Sequence, residues 1–418
     1  MIVARITSRL NTGFVRSVIL VAGGALISQG VIVAVTPVLT RLFSPESFGV
    51  LAAFTSILTI VIALASLKYE LAIPQAKAEK HAFELAVLSF WVLAILGALS
   101  ALILSVVWFL PQIDLPAYCW FIPPGLLFAG AFQIASYVAI RYKDFSALTL
   151  ANIQRSVVQS VLQVSAGFAA LGGGALICGY VISQGAAGAR IIIKVFKGRS
   201  LPNRLRLLAL AKKYKRFPVM AAPAALLNAA ALNVPPFVII YAFGMHEAGL
   251  FALAQRAMGV PMAFLGTAIA NVYLSEIPRV AETSTSQVIV FYKRALRNLT
   301  LLGLPIVVGA GLALFYTVDY LFGADWSEAS VLMLLLIPLF FGQFVVSPLS
   351  QTLNVIERQD IQLKWDFLRL CVPNLGFVIA ALAGLTFVEA ILWFSVLMFF
   401  MYVINVAVTL RVLMRRVA

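Results

Sequence analysis

The chain has 418 residues, 62% of them hydrophobic and only 11% charged, with a mean hydropathy of +1.01. A soluble domain carries about 25% charged residues, so this composition excludes an aqueous fold and makes lipid the solvent. The net charge of +15 does not point to nucleic acid, because the basic residues gather at the ends of apolar runs, where a membrane protein marks its cytoplasmic side.

Apolar runs long enough to cross a hydrocarbon core, about 20 residues, recur along the whole chain. In the first half they fall near 15–40, 48–67, 82–110, 117–140, 150–172 and 174–196. In the second half they fall near 217–242, 249–275, 296–316, 328–352, 363–386 and 388–410. All twelve are expected to be helices, since a helix satisfies its own backbone hydrogen bonds in lipid. Alternating strands of the barrel type are absent from the sequence. The first run is too long for the apolar region of a signal peptide and has no clear cleavage site, so it reads as a span. Between the first two runs, T40-R-L-F-S-P-E-S-F-G-V-L-A52 breaks the apolar pattern, with Pro45 and Gly49 marking an abrupt turn. Cys119, Cys178 and Cys371 stand singly within apolar runs and form neither a disulfide framework nor a metal set.

With the amino terminus inside, 26 of the 31 basic residues fall on the cytoplasmic side or its flanks, Arg41 alone falls outside, and four lie deeper within spans. That imbalance predicts cytoplasmic termini. The outer connections are short and acidic, and carry Glu46, Asp114, Glu247, Asp319, Asp325 and Glu328. None is long enough to fold as a domain.

The longest basic connection, K197-G-R-S-L-P-N-R-L-R-L-L-A-L-A-K-K-Y-K-R216, falls almost midway. It divides the chain into an amino-terminal six-helix bundle (1–196), a basic cytoplasmic linker (197–216) and a carboxy-terminal six-helix bundle (217–418). The linker reads as a topology anchor or as a surface helix on anionic lipid, since Leu205, Leu208 and Ala209 interleave with its basic residues. A weak repeat spans it. Thr36-Pro37 followed by F48-G-V-L-A52 is echoed by Pro235-Pro236 followed by A248-G-L-F-A252. With an even number of spans in each half, such repeats are parallel and related by an axis along the membrane normal.

R41-L-F-S-P-E-S-F-G49 and L67-K-Y-E-L-A-I73 resemble the opening of Wzx-type polysaccharide and O-antigen repeat-unit flippases. These belong to the multidrug/oligosaccharidyl-lipid/polysaccharide exporter superfamily. The stretch from Gly249 to Glu276 is similar to that family's eighth span, and N354-V-I-E-R-Q-D-I-Q-L-K-W365 to the connection before its eleventh. The resemblance implies an all-α polytopic membrane protein. Its twelve helices would form two six-helix bundles, related by a pseudo-two-fold axis along the membrane normal, around a V-shaped central cavity. It further implies alternating access and a polyprenyl-diphosphate-linked glycan as cargo.

Four arginines lie within spans: Arg155, Arg190, Arg256 and Arg369. An arginine at mid-bilayer costs about 2.5–3.5 kcal/mol on insertion scales, unless it snorkels to water. Asn152, Arg155, Gln159 and Gln163 share one face of the fifth span. That stripe reads as a wet cavity wall or as polar helix packing. Gln133, Tyr137 and Arg141 make a similar stripe on the fourth span. Arg369 follows Asp366 by one helical turn, so the two form a compensated pair, or Arg369 serves phosphate and Asp366 titrates for ion coupling. Arg190 sits near the end of its run and reads as a snorkelling residue. Guanidinium forks suit phosphate oxygens and sugar hydroxyls, and amides such as Gln159, Gln163 and Asn228 suit sugars. Arg41 and Glu46 form a candidate outer gate or simply pair with each other.

No G-x-x-x-x-G-K-[ST] loop is present. Energy is left to an ion gradient, a partner or consumption of the product. The leading expectation is a flippase in the bacterial inner membrane that moves a lipid-linked O-antigen or exopolysaccharide repeat unit. It has no cofactor, metal, catalytic residues or nucleic-acid partner; membrane lipids surround it, and other polysaccharide-assembly proteins are candidate partners. Two alternatives stay open. A cation-coupled multidrug exporter of the same superfamily would place acids in its cavity, where this sequence has arginines. A membrane sugar polymerase or ligase would need a large outer loop.

Overall fold

The computed structural model describes residues 12–110, 116–259, 284–356 and 358–415, together with 261–262, 266, 269–270, 273, 276–277 and 280. For 12–22, 285, 351, 354 and 359 it describes the backbone alone. Arg5, Arg9, Asp114, Arg279 and Arg416 lie outside the described residues, as does much of the eighth expected span.

Among the described residues the regular structure is helical. The first half contains α1 (Thr12–Leu42), α2 (Pro45–Ile62), α3 (Glu79–Trp108), α4 (Ile122–Arg141), α5 (Phe145–Phe168) and α6 (Gly173–Phe196). The linker carries α7 (Arg204–Lys213). The second half contains α8 (Ala222–Asn233), α9 (Pro235–Ala242), α10 (Met245–Ala254), α11 (Thr285–Phe322), α12 (Ala329–Leu335), α13 (Ile337–Val346), α14 (Gln351–Val355), α15 (Gln359–Leu382) and α16 (Phe387–Arg415).

Among the described residues, eight helices are long and apolar enough to cross a membrane. Two bent pairs raise that to ten: Phe217–Asn233 with Pro235–Ala242, at 42°, and Ala324–Leu335 with Ile337–Leu349, at 51°. Pro235, Pro236 and Pro338 sit at these breaks, where a missing N–H interrupts the helical ladder. Of the twelve expected spans, the fifth falls short because its helix, α5, carries the Asn152–Gln163 polar face; the eighth is only partly described. The outward faces are apolar: Ile95, Leu102, Ile103 and Val106 of α3 are each more than half exposed. In water such a belt is an aggregation surface; in lipid it is the solvated face.

Two boundaries differ from expectation for local reasons. The second span was expected to run to residue 67, yet α2 ends at Ile62, and Leu67 and Lys68 take left-handed φ values of 48° and 62°. A short 3-10 turn, Tyr69–Ala72, follows. The ninth span begins at Thr285 rather than 296, because Ser284 caps it by accepting from the Gln287 N–H.

The chain packs as two compact units: Met1–Leu42 with Phe54–Ala229, and Phe43–Ala53 with Ala230–Ala418. The first turns of α2 thus belong to the second unit. The reason is close backbone contact. A Cβ on Gly49 would lie 2.1 Å from the Met245 carbonyl oxygen, and a Cβ on Gly249 would lie 1.8 Å from that of Pro45. The two glycines are equivalent in the repeat seen in the sequence, and their contacts are reciprocal. Reciprocity of this kind is what a local two-fold relation produces.

Candidate functional site

In the first unit, the candidate residues converge on α5. Arg155 is half-buried, with its guanidinium 5.3 Å from the Phe132 ring of α4. Tyr180 of α6 is its other electrostatic neighbour. Among the described residues no carboxylate pairs with Arg155, and its buried Nε has no hydrogen-bond acceptor. One and two turns further along, Gln159 and Gln163 are buried. Gln163 Nε2 donates to the Leu176 carbonyl at 2.9 Å, and Gln159 Nε2 reaches Gln163 Oε1 at 3.5 Å. Gln163 therefore works in the α5–α6 contact, where a Cβ on Gly179 would lie 2.9 Å from its Cγ. Asn152 is likewise tied locally, donating to the Leu148 carbonyl at 3.0 Å. Arg155 is the member of the stripe with unmet capacity.

The fourth-span stripe serves another purpose. Gln133 Nε2 donates to Glu70 Oε1 at 2.7 Å, Tyr137 lies in the field of Glu70, and Arg141 Nη2 reaches the Lys77 carbonyl at 3.3 Å. Together these residues hold the irregular segment after α2. Glu70 itself is fully buried; Ser66 donates to its Oε2, and Lys68 Nζ lies 3.6 Å from Oε1. Glu84 of α3 is the second buried carboxylate. It accepts from Arg206 Nε at 3.2 Å to both oxygens and has His81 Nδ1 at 3.5 Å. His81 Nε2 meets Tyr214 Oη at 3.2 Å, and Tyr69 Oη donates to the Ala211 carbonyl at 3.2 Å. These contacts pin α7 to the first unit.

Sequence reasoning missed Glu70 and Glu84 as buried acids because both sit at segment ends, where a carboxylate is ordinarily solvated. For Glu70 the signal that could have found it was the run of polar partners at helical spacing on α4; Glu84 has its partners on α7 and its own helix, with no such run. Beside the Glu84 cluster is a cavity of about 620 Å³, lined in part by Glu79, Lys80, Phe83, Arg199 and Arg206. Arg199 lies 5.3 Å from the Phe83 ring and 5.6 Å from that of Tyr142, and donates to Tyr142 Oη at 2.8 Å. At the α4–α5 turn, Asp144 accepts from Lys194 Nζ at 2.7 Å and from the Ala147 N–H at 3.1 Å. The lysine, followed by the N–H, holds the Asp144 carboxyl below the usual carboxylate range.

In the second unit, Asp366 and Arg369 of α15 meet at 3.2 Å. Arg369 is buried, 4.7 Å from the centroid of the Trp365 ring, and Gln362 Nε2 donates to Asp366 at 3.2 Å. Arg256 lies half-buried in a wide helical turn, Gln255–Gly259, that continues α10. Glu46 is exposed in the first turn of α2, and His246 Nδ1 is its partner at 2.6 Å. The other two expected residues stand at the periphery of the first unit. Arg41 is exposed in the last turn of α1, and Asn228 is exposed on α8. Arg190 is exposed near the end of α6. The structure thus brings together Arg155, Gln159 and Gln163 in one unit and Asp366 and Arg369 in the other. Among the described residues no cluster of three or more His, Cys, Asp or Glu side chains is arranged to hold a metal ion.

Solved structures with this fold cover nearly the whole chain. An inward-facing multidrug resistance MATE family transporter of the MOP superfamily is 16% identical, with a TM-score of 0.72 over 95% of this chain and 96% of that one. The lipid II flippase MurJ in an inward closed conformation is 13% identical, with a TM-score of 0.70 over 94% of this chain and 87% of that one. A MOP superfamily transporter from Pyrococcus furiosus Vc1 is 16% identical, with a TM-score of 0.64 over 96% and 95%. At such identities the likeness establishes the fold: a multi-pass, all-helical membrane protein. No curated protein matches the sequence. The family model described as "Polysaccharide biosynthesis protein" matches residues 38–331, more than half of the sequence, and the chain belongs to that family.

Proposed function

We propose that the chain is a flippase that carries a polyprenyl-diphosphate-linked oligosaccharide, an O-antigen or exopolysaccharide repeat unit, across the bacterial inner membrane by alternating access. Its termini are cytoplasmic, and its two repeat halves are 1–196 and 217–418, joined by the basic linker 197–216. The observation that carries this reading is Arg155. It is a half-buried guanidinium beside aromatic rings, with no carboxylate partner among the described residues and with donor capacity unmet. Such a fork suits diphosphate oxygens and sugar hydroxyls. Membership of a polysaccharide biosynthesis family supports a glycan cargo, and the MurJ-like fold supports a lipid-linked one.

In this reading Gln159, Arg256, Arg369 and Asn228 offer further contacts to the cargo, with Gln163 bracing Gln159. Arg41 and Glu46 act at the outer gate, where His246 closes on Glu46. Asp366 is the group for ion coupling. Arg155→Ala should lower export of the glycan by about tenfold, the worth of one charge-assisted hydrogen bond at about 1.5–3 kcal/mol, with membrane levels unchanged. Arg155→Lys should restore part of it. Full export by Arg155→Ala would remove this residue from the site. Lipid analysis of a deletion strain should show the unflipped lipid-linked repeat accumulating on the inner leaflet. The multidrug reading is favoured by the MATE-like fold; restored drug resistance in a pump-deficient strain would support it instead.

A further inference from the structure

We infer that the second unit contains a buried hydrated pathway that joins Asp366 to the cytoplasmic surface, lined by Tyr402, Asn405 and Thr409 of α16 and by Tyr292 of α11. Water occupies it, and through water it gives protons access to the carboxylate. The inference rests on the ion-coupling role and the orientation proposed above.

Hydrogen-bond demand is the first ground. Asn405 is 1% exposed, yet neither its Oδ1 nor its Nδ2 has a partner among the described residues. The hydroxyls of Thr409, Tyr402 and Tyr292 are buried as well and lack a hydrogen bond of good geometry, Tyr292 and Thr409 reaching only toward each other and Tyr402 only toward Arg369. One buried polar atom without a partner costs about 1–3 kcal/mol, and folded proteins meet that demand with protein groups or ordered water. Several such atoms in succession define a wet track.

The second ground is placement. Residues 402, 405 and 409 follow helical spacing, so they share one face of α16. That face is turned toward α15 at its deeper end. Trp365 Nε1 donates to the Met401 carbonyl at 2.8 Å, and the Trp365 and Tyr402 rings stand 5.9 Å apart. Tyr402 feels the charges of both Arg369 and Asp366. At the shallower end Tyr292 lies toward Thr409, next to the exposed residues Lys293 and Arg411. Those basic residues mark the cytoplasmic boundary. Gln362 Oε1, beside Asp366, is also buried without a partner. The groups facing Asp366 among the described residues are Arg369 and Gln362 on its own helix and Tyr402 on α16.

Polar helix packing is the competing account, and the same unit shows how that looks. Ser395 Oγ accepts from the Leu339 N–H at 3.2 Å, and Tyr273 Oη meets Thr352 Oγ1 at 2.7 Å. Those pairs are complete, whereas Asn405, in the middle of the track, has neither of its polar atoms met among the described residues. In the track a proton passes from water to the Asp366 carboxylate and back to water, with no other bond changed.

Thiol labelling reads hydration directly and needs no transport. The native Cys119, Cys178 and Cys371 are first replaced by serine in the full-length protein, held in inverted membrane vesicles. Asn405→Cys and Thr409→Cys should then react with a cationic methanethiosulfonate about tenfold faster than Ile404→Cys, because only a wet thiol forms the reactive thiolate. Ile404 sits on the lipid-facing side, 44% exposed. Thr409→Cys is close to isosteric and serves alone if Asn405→Cys does not fold. Rates as slow as that of Ile404→Cys would overturn the pathway, and faster labelling from the outer face would overturn its cytoplasmic opening. A failure of the flippase reading leaves these rates unchanged, so the two are separable.

Discussion

The two units treat their buried polar groups in opposite ways. In the first, Glu70 and Glu84 are buried acids with their demands met: Ser66, Gln133 and Lys68 surround one, and Arg206 and His81 the other. In the second, Asn405 is buried with both polar atoms unmet among the described residues, and around it Tyr292, Thr409 and Tyr402 lack hydrogen bonds of good geometry. A satisfied buried carboxylate fixes geometry, here the irregular segment after α2 and the linker helix α7. An unsatisfied polar track leaves room for water or a mobile ligand. Among the described residues the first unit also has two groups of the second kind, the Nε atoms of Arg141 and Arg155, and within the α5 stripe that sets Arg155 apart.

The sharpest effect is expected at the seam where the first turns of α2 enter the second unit. A Cβ on Gly249 would meet backbone at 1.8 Å, and neither Pro45 nor its carbonyl can swing aside. Gly249→Ala should lower thermal stability by about 3 kcal/mol, the upper end of the usual overpacking cost. Gly49→Ala should do much the same through Met245. Because both strain one crossing, the double variant should cost less than the sum of the two. Additive costs in melting measurements would sink the reciprocal contact.

A paired substitution tests the contrast itself. Gln133→Leu removes a 2.7 Å donor from the fully buried Glu70 and should cost about 2 kcal/mol, the range for a hydrogen bond to a charged group. Asn405→Leu removes a side chain whose polar atoms have no protein partner, and it should be near neutral in stability or mildly stabilising. If both variants destabilise equally, Asn405 is as firmly bonded as Gln133, and the two units are alike. Denaturation of the purified protein in detergent, followed by tryptophan fluorescence, gives both numbers.

Much of the fold was legible because lipid makes hydropathy decisive. The described helices fall on the expected runs, and even the faint F48-G-V-L-A52 and A248-G-L-F-A252 echo proved to mark touching segments. What sequence could not give was the partner of each polar side chain. Helical spacing places Gln133, Tyr137 and Arg141 on one face, but it does not say that the face holds a folded-back turn rather than a cavity. Nor does spacing separate Gln163, bonded to a neighbouring helix, from Arg155, which is not. Spacing sets Glu46 beside Arg41, as an outer gate or a simple pair, but it gives no hint that His246, one repeat interval away in sequence, lies 2.6 Å from Glu46. Long-range pairing of this kind depends on packing, which composition and periodicity do not encode.

The smallest effect belongs to the surface of the first unit, where a satisfied carboxylate should matter least. Lys194 Nζ lies 2.7 Å from Asp144, with the lysine 74% exposed and the aspartate 30%. Such pairs are worth about 0.2–1 kcal/mol, so Lys194→Ala should destabilise only within that range at pH 7. The pH dependence has a definite sign. The lysine, followed by the Ala147 N–H, lowers the folded Asp144 pKa, so the stabilisation is fully present above the unfolded value of about 3.9 and is lost as pH falls through the folded value. Wild type and Lys194→Ala should therefore differ at neutral pH and converge in acid. Salt should shrink the gap at pH 7, because exposed charges are screened. Asp144→Ala should cost more than Lys194→Ala at neutral pH, since it also removes the side chain that caps α5, at about 1 kcal/mol. Equal costs for the two variants would mean that the ion pair, and not the cap, is what the aspartate contributes.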